Sequence, residues 1–222
     1  MEVTLLKELS GLLPGFSVGV ITFSGVQIGP SPQMLKGRLR LFQESLYFDL
    51  EGKKVTELEG IGEWRSAFKL AGRDPNRSRH SAEALYRRVQ KGEFLPSVHS
   101  AVDLNNFFSL QYQVPIGVYD LDKIKGDVTI RIGMDGEVYE GLNGRENSLK
   151  GLILSSDESD PFGSPYVDSK RTAVTEDSEN ILSIIYHRPS LPLEEKRKMT
   201  ASLMEMFLQI HGGVGNYEVV SS

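Results

Sequence analysis

One stretch does most to limit what this chain can fold into: PSVHSAVDLNNFFSLQYQVPIGVYDLDKIKGDVTIRI, from Pro96 to Ile132. Val102, Leu104, Phe107, Phe108 and Leu110 supply an apolar helical face, which Asn105 and Asn106 interrupt with two amides. Pro115 and Gly117 then break the pattern. DLDKIKGD makes a polar connection, and VTIRI alternates with period two, the signature of a half-buried strand. An unpaired buried amide costs roughly 1–3 kcal/mol, so the two asparagines need partners. A bound ligand is one way to supply them.

The elements on either side fix the class. Residues 2–13 are expected to form a short amphipathic helix ending at Pro14–Gly15. Phe16 to Ile28 is β-rich and reads as a buried strand bent at Gly25. Ser31–Pro32 opens a helix running to about Phe48. A further helix from about Val55 to Leu70 carries Leu58, Ile61, Trp64, Phe68 and Leu70 on one stripe, with Trp64 in the core. GRDPNRSRH is a loop. Ser81 is the expected cap of a helix from Ala82 to Gln90, closed by Lys91–Gly92. Beyond the central stretch, VTIRIGM, GEVYEGL and SLKGLILSS read as short strands with turns at Asp135–Gly136 and Asn143–Gly144. SSDESDPFGSPYVDS is a long polar loop of the kind that serves a function or stays disordered. TAVTEDSENILSIIYH returns to a helical turn and a buried strand. Leu193 to Ile210 closes the chain as an amphipathic helix. The expected fold is therefore α/β of the α+β type: a mixed β-sheet flanked by helices, in one globular domain over residues 1–222.

The absence of cysteine among 222 residues excludes a disulfide scaffold, a thiol nucleophile and thiolate metal sites. No apolar run approaches the roughly 20 residues that cross a bilayer. The mixed, acidic N-terminus does not read as a signal peptide. The expected address is the cytoplasm, with no membrane contact. Net charge is −5, but Arg65, Lys69, Arg73, Arg77, Arg79, Arg87, Arg88 and Lys91 crowd one stretch opposed only by Asp74 and Glu83. Local fields steer a polyanion, and arginine forks suit phosphates, so this stretch is a candidate RNA-binding surface. The alternative is a solvated helix face.

Other chemistry is scarce. HGGVGN at 211–216 follows a helix instead of opening one, so it reads as a cap and tail and not as a phosphate loop. DLDKIKGD imitates the start of a calcium loop, but Ile124 takes a ligand position. The four histidines are scattered, and the SSDESD acids read as a solvated loop. No metal and no cofactor are expected. GxSxG is absent, and PFGSP is not a strand-to-helix elbow.

The order SAEALYRR, LP, VDLNNFFSL, PIGVYDLDKIKGDVTIRI, GEVYEGLNG, TEDSENIL resembles the tRNA-editing module of the bacterial phenylalanyl-tRNA synthetase β subunit, formed by its combined third and fourth domains. It is closer still to free-standing proteins built from that module. The resemblance covers roughly Ala71 to Tyr186 and leaves residues 1–60 and the last helix unexplained. It carries no aminoacylation motifs, so the chain is not expected to charge tRNA. It implies a cleft for the 3′ end of a mischarged aminoacyl-tRNA, in which the family hydrolyses the ester, typically of tyrosine. Such a site needs an oriented water and donors for the developing oxyanion, and it acts as the second sieve of a double-sieve scheme.

Position by position, Asn106 matches the asparagine of the family's "TN" and Asn105 stands for its threonine. The family's pocket histidine falls on Gly117, its glycine pair near Asp168–Ser169, and its pocket glutamate on Ile184. The groups that read tyrosine's hydroxyl are thus replaced. The expected site consists of Asn105, Asn106 and Thr172 in catalysis, with Gly117, Asp168, Ser169 and Arg171 binding substrate. Arg73, Arg77, Arg79, Arg87 and Arg88 would meet the tRNA backbone. The rival expectation is a module that keeps the fold and holds RNA or a small ligand without catalysis. A third possibility is a cleft serving a small metabolite.

Overall fold

The computed structural model describes residues 1–221. Its frame is an antiparallel sheet of β2 (Ser17–Ser24), β3 (Ile116–Asp120), β9 (Ile181–Tyr186) and β10 (Val214–Ser221), in the order β10-β2-β9-β3. Strict alternation splits the side chains of this sheet between two cores. Ile21, Phe23, Ile116, Ile181 and Ile185 face the helices; Val18, Val20, Tyr119, Leu182, Ile184 and Tyr186 face the other way. That is the period-two pattern of a sheet buried on both sides.

On the helical side lie α2 (Gln33–Asp49), α4 (Ser81–Gln90), α5 (Ser100–Tyr112) and α6 (Leu193–His211). On the other side lies a second sheet, in the order β1-β4-β7-β8, made of β1 (Val3–Leu5), β4 (Val128–Ile132), β7 (Ile153–Ser156) and β8 (Pro161–Gly163). Its β1–β4 pair is parallel and the others antiparallel. Helices α1 (Lys7–Leu12) and α3 (Glu59–Leu70) close this second core with Leu9, Trp64, Ala67 and Phe68. A ribbon of β5 (Val138–Glu140) and β6 (Glu146–Ser148) stands beside it. The expected α+β class holds, with the strands divided between two four-stranded sheets and the ribbon.

Several local expectations are corrected. Residues 2–13 are not one helix: Val3 and Leu5 are buried around an exposed Thr4, and this short strand adds to β4 before α1 begins. Gly117 lies inside β3; the break before it comes at Gln113, which closes α5 at φ 56° and accepts a hydrogen bond from Gly60 N (3.0 Å). His80, not Ser81, caps α4, its Nδ1 accepting from Glu83 N. The helix read from Val55 divides into a 3-10 turn at Val55–Glu57 and α3. Leu70 is exposed at its end. The polar 157–172 loop contains β8 and a 3-10 turn at Lys170–Thr172. Residues after Gly213 are not a tail: β10 pairs along its whole length with β2.

Candidate functional site

Strands β3 and β9 place Gly117 directly opposite Ile184. Both lie on the face turned toward the second sheet, where Tyr119 folds its ring back over Gly117. A Cβ on Gly117 would overlap the Tyr119 phenol, and so would one on Gly163 of β8. The two glycines therefore leave a slot that the tyrosine fills, its ring edge-on to Phe162 at 4.9 Å.

The slot ends in a polar cluster. The Tyr119 hydroxyl donates to Asp168 Oδ1 (2.7 Å) and lies 3.5 Å from the Tyr186 hydroxyl, which shares a 2.7 Å hydrogen bond with Ser155 Oγ. Ser164 N also donates to Asp168 Oδ1, at 3.2 Å. Tyr139 donates to Ser164 Oγ and to the Val167 carbonyl. Asp168 is half-buried as a residue, but its carboxyl is desolvated. Burial pushes it up to about 7, against the opposing pull of the bonds from Tyr119 and Ser164. The hydroxyls of Tyr119, Tyr139 and Tyr186 are pushed up as well, first by burial and then by the Asp168 charge. A carboxyl that titrates near neutrality among hydroxyls can take and return a proton.

Tyr139 also lines a cleft of about 470 Å³ between β5, the Asp160–Pro161 turn and Ser169–Arg171. Ser169 is buried, its hydroxyl accepting from Arg171 N. Arg171 ties the 157–160 turn down through Asp157 Oδ2 (3.0 Å) and the carbonyls of Lys123 and Asp160. Lys170 pairs with Glu140 across the mouth (3.0 Å). Thr172 is wholly buried, its hydroxyl without a partner among the described residues.

The structure thus brings Gly117, Asp168, Ser169 and Arg171 into one neighbourhood, with Thr172 next in the chain. Asn105 lies elsewhere. It sits on the helical side of β3, beside Val118 and Ser183, and its amide donates to Ile116 O (2.9 Å), pinning α5 to the strand. Asn106 is half-buried on the same helix.

The basic stretch divides. Glu83 is completely buried and holds Arg65 (3.0 Å) and Arg87 (2.8 Å). Arg73 donates to Ser78 Oγ and Lys150 O. Arg77, Arg79 and Arg88 are exposed. Ser81 N donates to Pro165 O (2.8 Å), which fastens the end of the basic loop to the turn carrying Asp168. Sequence reasoning passed over Tyr119, Tyr139, Tyr186 and Ser164. The one signal available was a glycine two positions before a tyrosine on one strand face, which leaves room for the ring to lie back.

Comparison with known proteins places the sequence in a family. A family model described as the B3/4 domain matches residues 63–200. An uncharacterized protein of Bacillus subtilis (strain 168), YhzB, is 32% identical over 213 residues, 96% of each chain. The β subunit of phenylalanine–tRNA ligase from Paramagnetospirillum magneticum is 30% identical over 132 residues, 51% of this chain but 16% of that subunit. An N-terminal fragment of the phenylalanyl-tRNA synthetase β subunit from Pyrococcus horikoshii superposes with a TM-score of 0.47 and 16% identity, over 99% of this chain and 50% of the fragment. The chain belongs to the B3/4 domain family, the module it shares with the β subunit of phenylalanine–tRNA ligase.

Proposed function

We propose that this chain is a tRNA-binding module that receives the 3′ end of an aminoacyl-tRNA at the cleft beside Asp168. The observation that carries the reading is the bond between Ser81 and Pro165, which joins the basic stretch to the Asp168 turn while Arg77, Arg79 and Arg88 stay exposed. Exposed guanidinium groups suit a phosphate backbone, positioning it without reading its sequence. Titration of labelled tRNA at rising salt tests it. Affinity falls steeply with salt, and the slope decreases by about one per arginine when Arg77 and Arg79 are replaced by Gln. Binding that is absent, or indifferent to both salt and these substitutions, refutes the reading.

A second reading, hydrolysis of a mischarged aminoacyl ester in trans, is favoured by one observation: the Asp168 carboxyl, pushed up to about 7, immediately before Ser169 of the cleft lining and bonded through Tyr119 to the hydroxyl cluster that Tyr139 of the same cleft joins. A base of that strength suits activation of a water at neutral pH. If the family's pocket lies at Gly117, as the resemblance implies, the Tyr119 ring fills it and leaves no room for a tyrosine substrate. A panel of mischarged tRNAs decides. Turnover lost in Asp168→Asn supports hydrolysis; tRNA binding without turnover of any ester leaves a binding module.

A further inference from the structure

The turn between β9 and α6 holds an arginine whose hydrogen bonding is incomplete. The Arg188 side chain is only 13% exposed, and its buried Nε has no hydrogen-bond partner among the described residues. Two carboxylates stand near it at ion-pair range: Glu59 Oε1 lies 3.5 Å from Nη1, and Glu63 Oε2 lies 3.9 Å from Nε. Glu63 spends both its oxygens on Ser190, bonding its N (2.8 Å) and its Oγ (2.7 Å). A guanidinium brings five donors, and buried donors are nearly always paired. Arg188 lines a pocket of about 330 Å³, a size that takes a small molecule. One wall is a single face of α6, where Glu195, Lys198, Met199 and Ser202 recur at helical spacing. The end of α5 makes another. There Gln113 accepts from Gly60 N (3.0 Å), and a Cβ on Gly60 would overlap Gln113, so α3 and α5 meet without slack.

We infer that this pocket binds a free α-amino acid with an apolar side chain, its carboxylate on Arg188 and its ammonium on Glu59 and Glu195. Both signs of charge line the space, Arg188 and Lys198 against Glu59 and Glu195. A simple anion would meet the two carboxylates, and a simple cation the two basic groups. A zwitterion suits all four. Arg188 and Glu59 stand side by side without a close hydrogen bond between them. An α-amino acid carries its carboxylate and ammonium on one carbon, so it offers the same two charges side by side with the signs exchanged. The planar guanidinium fork matches a carboxylate bidentately. Tyr112, Leu191 and Met199 supply apolar surface for the side chain. The pocket shares no lining residue with the cleft beside Asp168, so the inference stands apart from the tRNA reading.

Isothermal titration calorimetry with L-leucine, L-methionine and L-phenylalanine tests it. At least one should bind with a Kd below about 1 mM. L-leucinamide lacks the carboxylate and N-acetyl-L-leucine the ammonium; each should bind about tenfold more weakly or worse, as loss of a charged hydrogen bond does. Arg188→Gln should weaken binding at least as much. Because Arg188 is largely buried, a second variant joins Glu59→Gln to Glu195→Gln, whose side chains are 81% and 58% exposed. It should melt as the unmodified protein does and bind about tenfold more weakly. No heat from any of the three amino acids at about 10 mM refutes the inference. So does leucinamide that binds as tightly as leucine, an affinity that the double variant retains, or inorganic phosphate that binds more tightly than the amino acids.

Discussion

Replacing Asp168 by Asn should make the protein more stable, and only above about pH 4. The folded carboxyl is raised to about 7 from an ordinary 3.8. Between those two values the native state holds a proton that the unfolded chain has released. Stability therefore falls as pH rises through this window, and the loss is complete above pH 7. One unit corresponds to about 1.36 kcal/mol, so the full penalty is about 4 kcal/mol, of which about 3 kcal/mol accrues between pH 5 and 8. Asparagine removes the charge while its Oδ1 still accepts from Tyr119 and Ser164, both of which bond that one oxygen. Two buried histidines work in the opposite sense. His80 is depressed to about 4 and His187 to about 3, mainly by burial. The unfolded chain takes up their protons first, so stability is lost as pH falls below about 6.5. Both histidines are common to the two proteins and cancel in the difference. Urea unfolding of both proteins at pH 5, 6, 7 and 8 measures it. Asp168→Asn should gain about 3 kcal/mol on the unmodified protein between pH 5 and 8. A difference that stays constant within about 0.5 kcal/mol across that range refutes the desolvated carboxyl. The unmodified protein alone should be most stable near pH 6.5, where the histidines have discharged and Asp168 has only begun to ionise.

Two further substitutions test the surroundings. Gly117→Ala drives the Tyr119 ring from its slot; overpacking and the loss of its bond to Asp168 together should lower stability by about 3 kcal/mol in urea unfolding. A change below about 0.5 kcal/mol would mean the ring has room to spare. Glu83→Gln removes the buried charge that holds Arg65 and Arg87, leaving Arg65, only 18% exposed at its side chain, uncompensated. The expected loss is about 3 kcal/mol, read from the urea midpoint at unchanged slope.

What the sequence revealed and concealed follows from the reach of the interactions. Helices α2, α4, α5 and α6 were legible because apolar spacing, prolines and glycine caps are local signals. The strands β2, β4 and β9 were legible from β-rich runs. Strand β1 was not: three residues carry too little pattern, and Val3 and Leu5 become a strand only because β4 lies beside them, 125 residues later. Strand β10 was masked by the glycines before it; its alternation of exposed and half-buried residues is that of an edge strand with one face wet. The site shows the same limit. Asn105 and Asn106 stood out because amides in an apolar helix are locally odd, yet Asn105 spends its amide on the carbonyl of Ile116, a helix-to-strand tie. Tyr119 looked ordinary, because its distinction lies in long-range contacts with Gly163 and Asp168.

The replacements at 117 and 184 are one packing event. The resemblance to the synthetase module implies a histidine and a glutamate at these positions, and here they pair directly across β3 and β9. A histidine at 117 cannot coexist with the Tyr119 ring, since even a Cβ there would overlap the phenol. A glutamate at 184 would place a carboxylate in the wholly buried core that also holds Tyr119 and Tyr186. A buried carboxylate with no cation to pair it would be costly. The cluster holds one acid, one ring in the slot and apolar bulk opposite it, and each part requires the others. The acid that remains belongs to the turn fastened to the basic loop. A histidine placed at 117 alone would therefore disrupt the packing of Tyr119 without making room for a pocket.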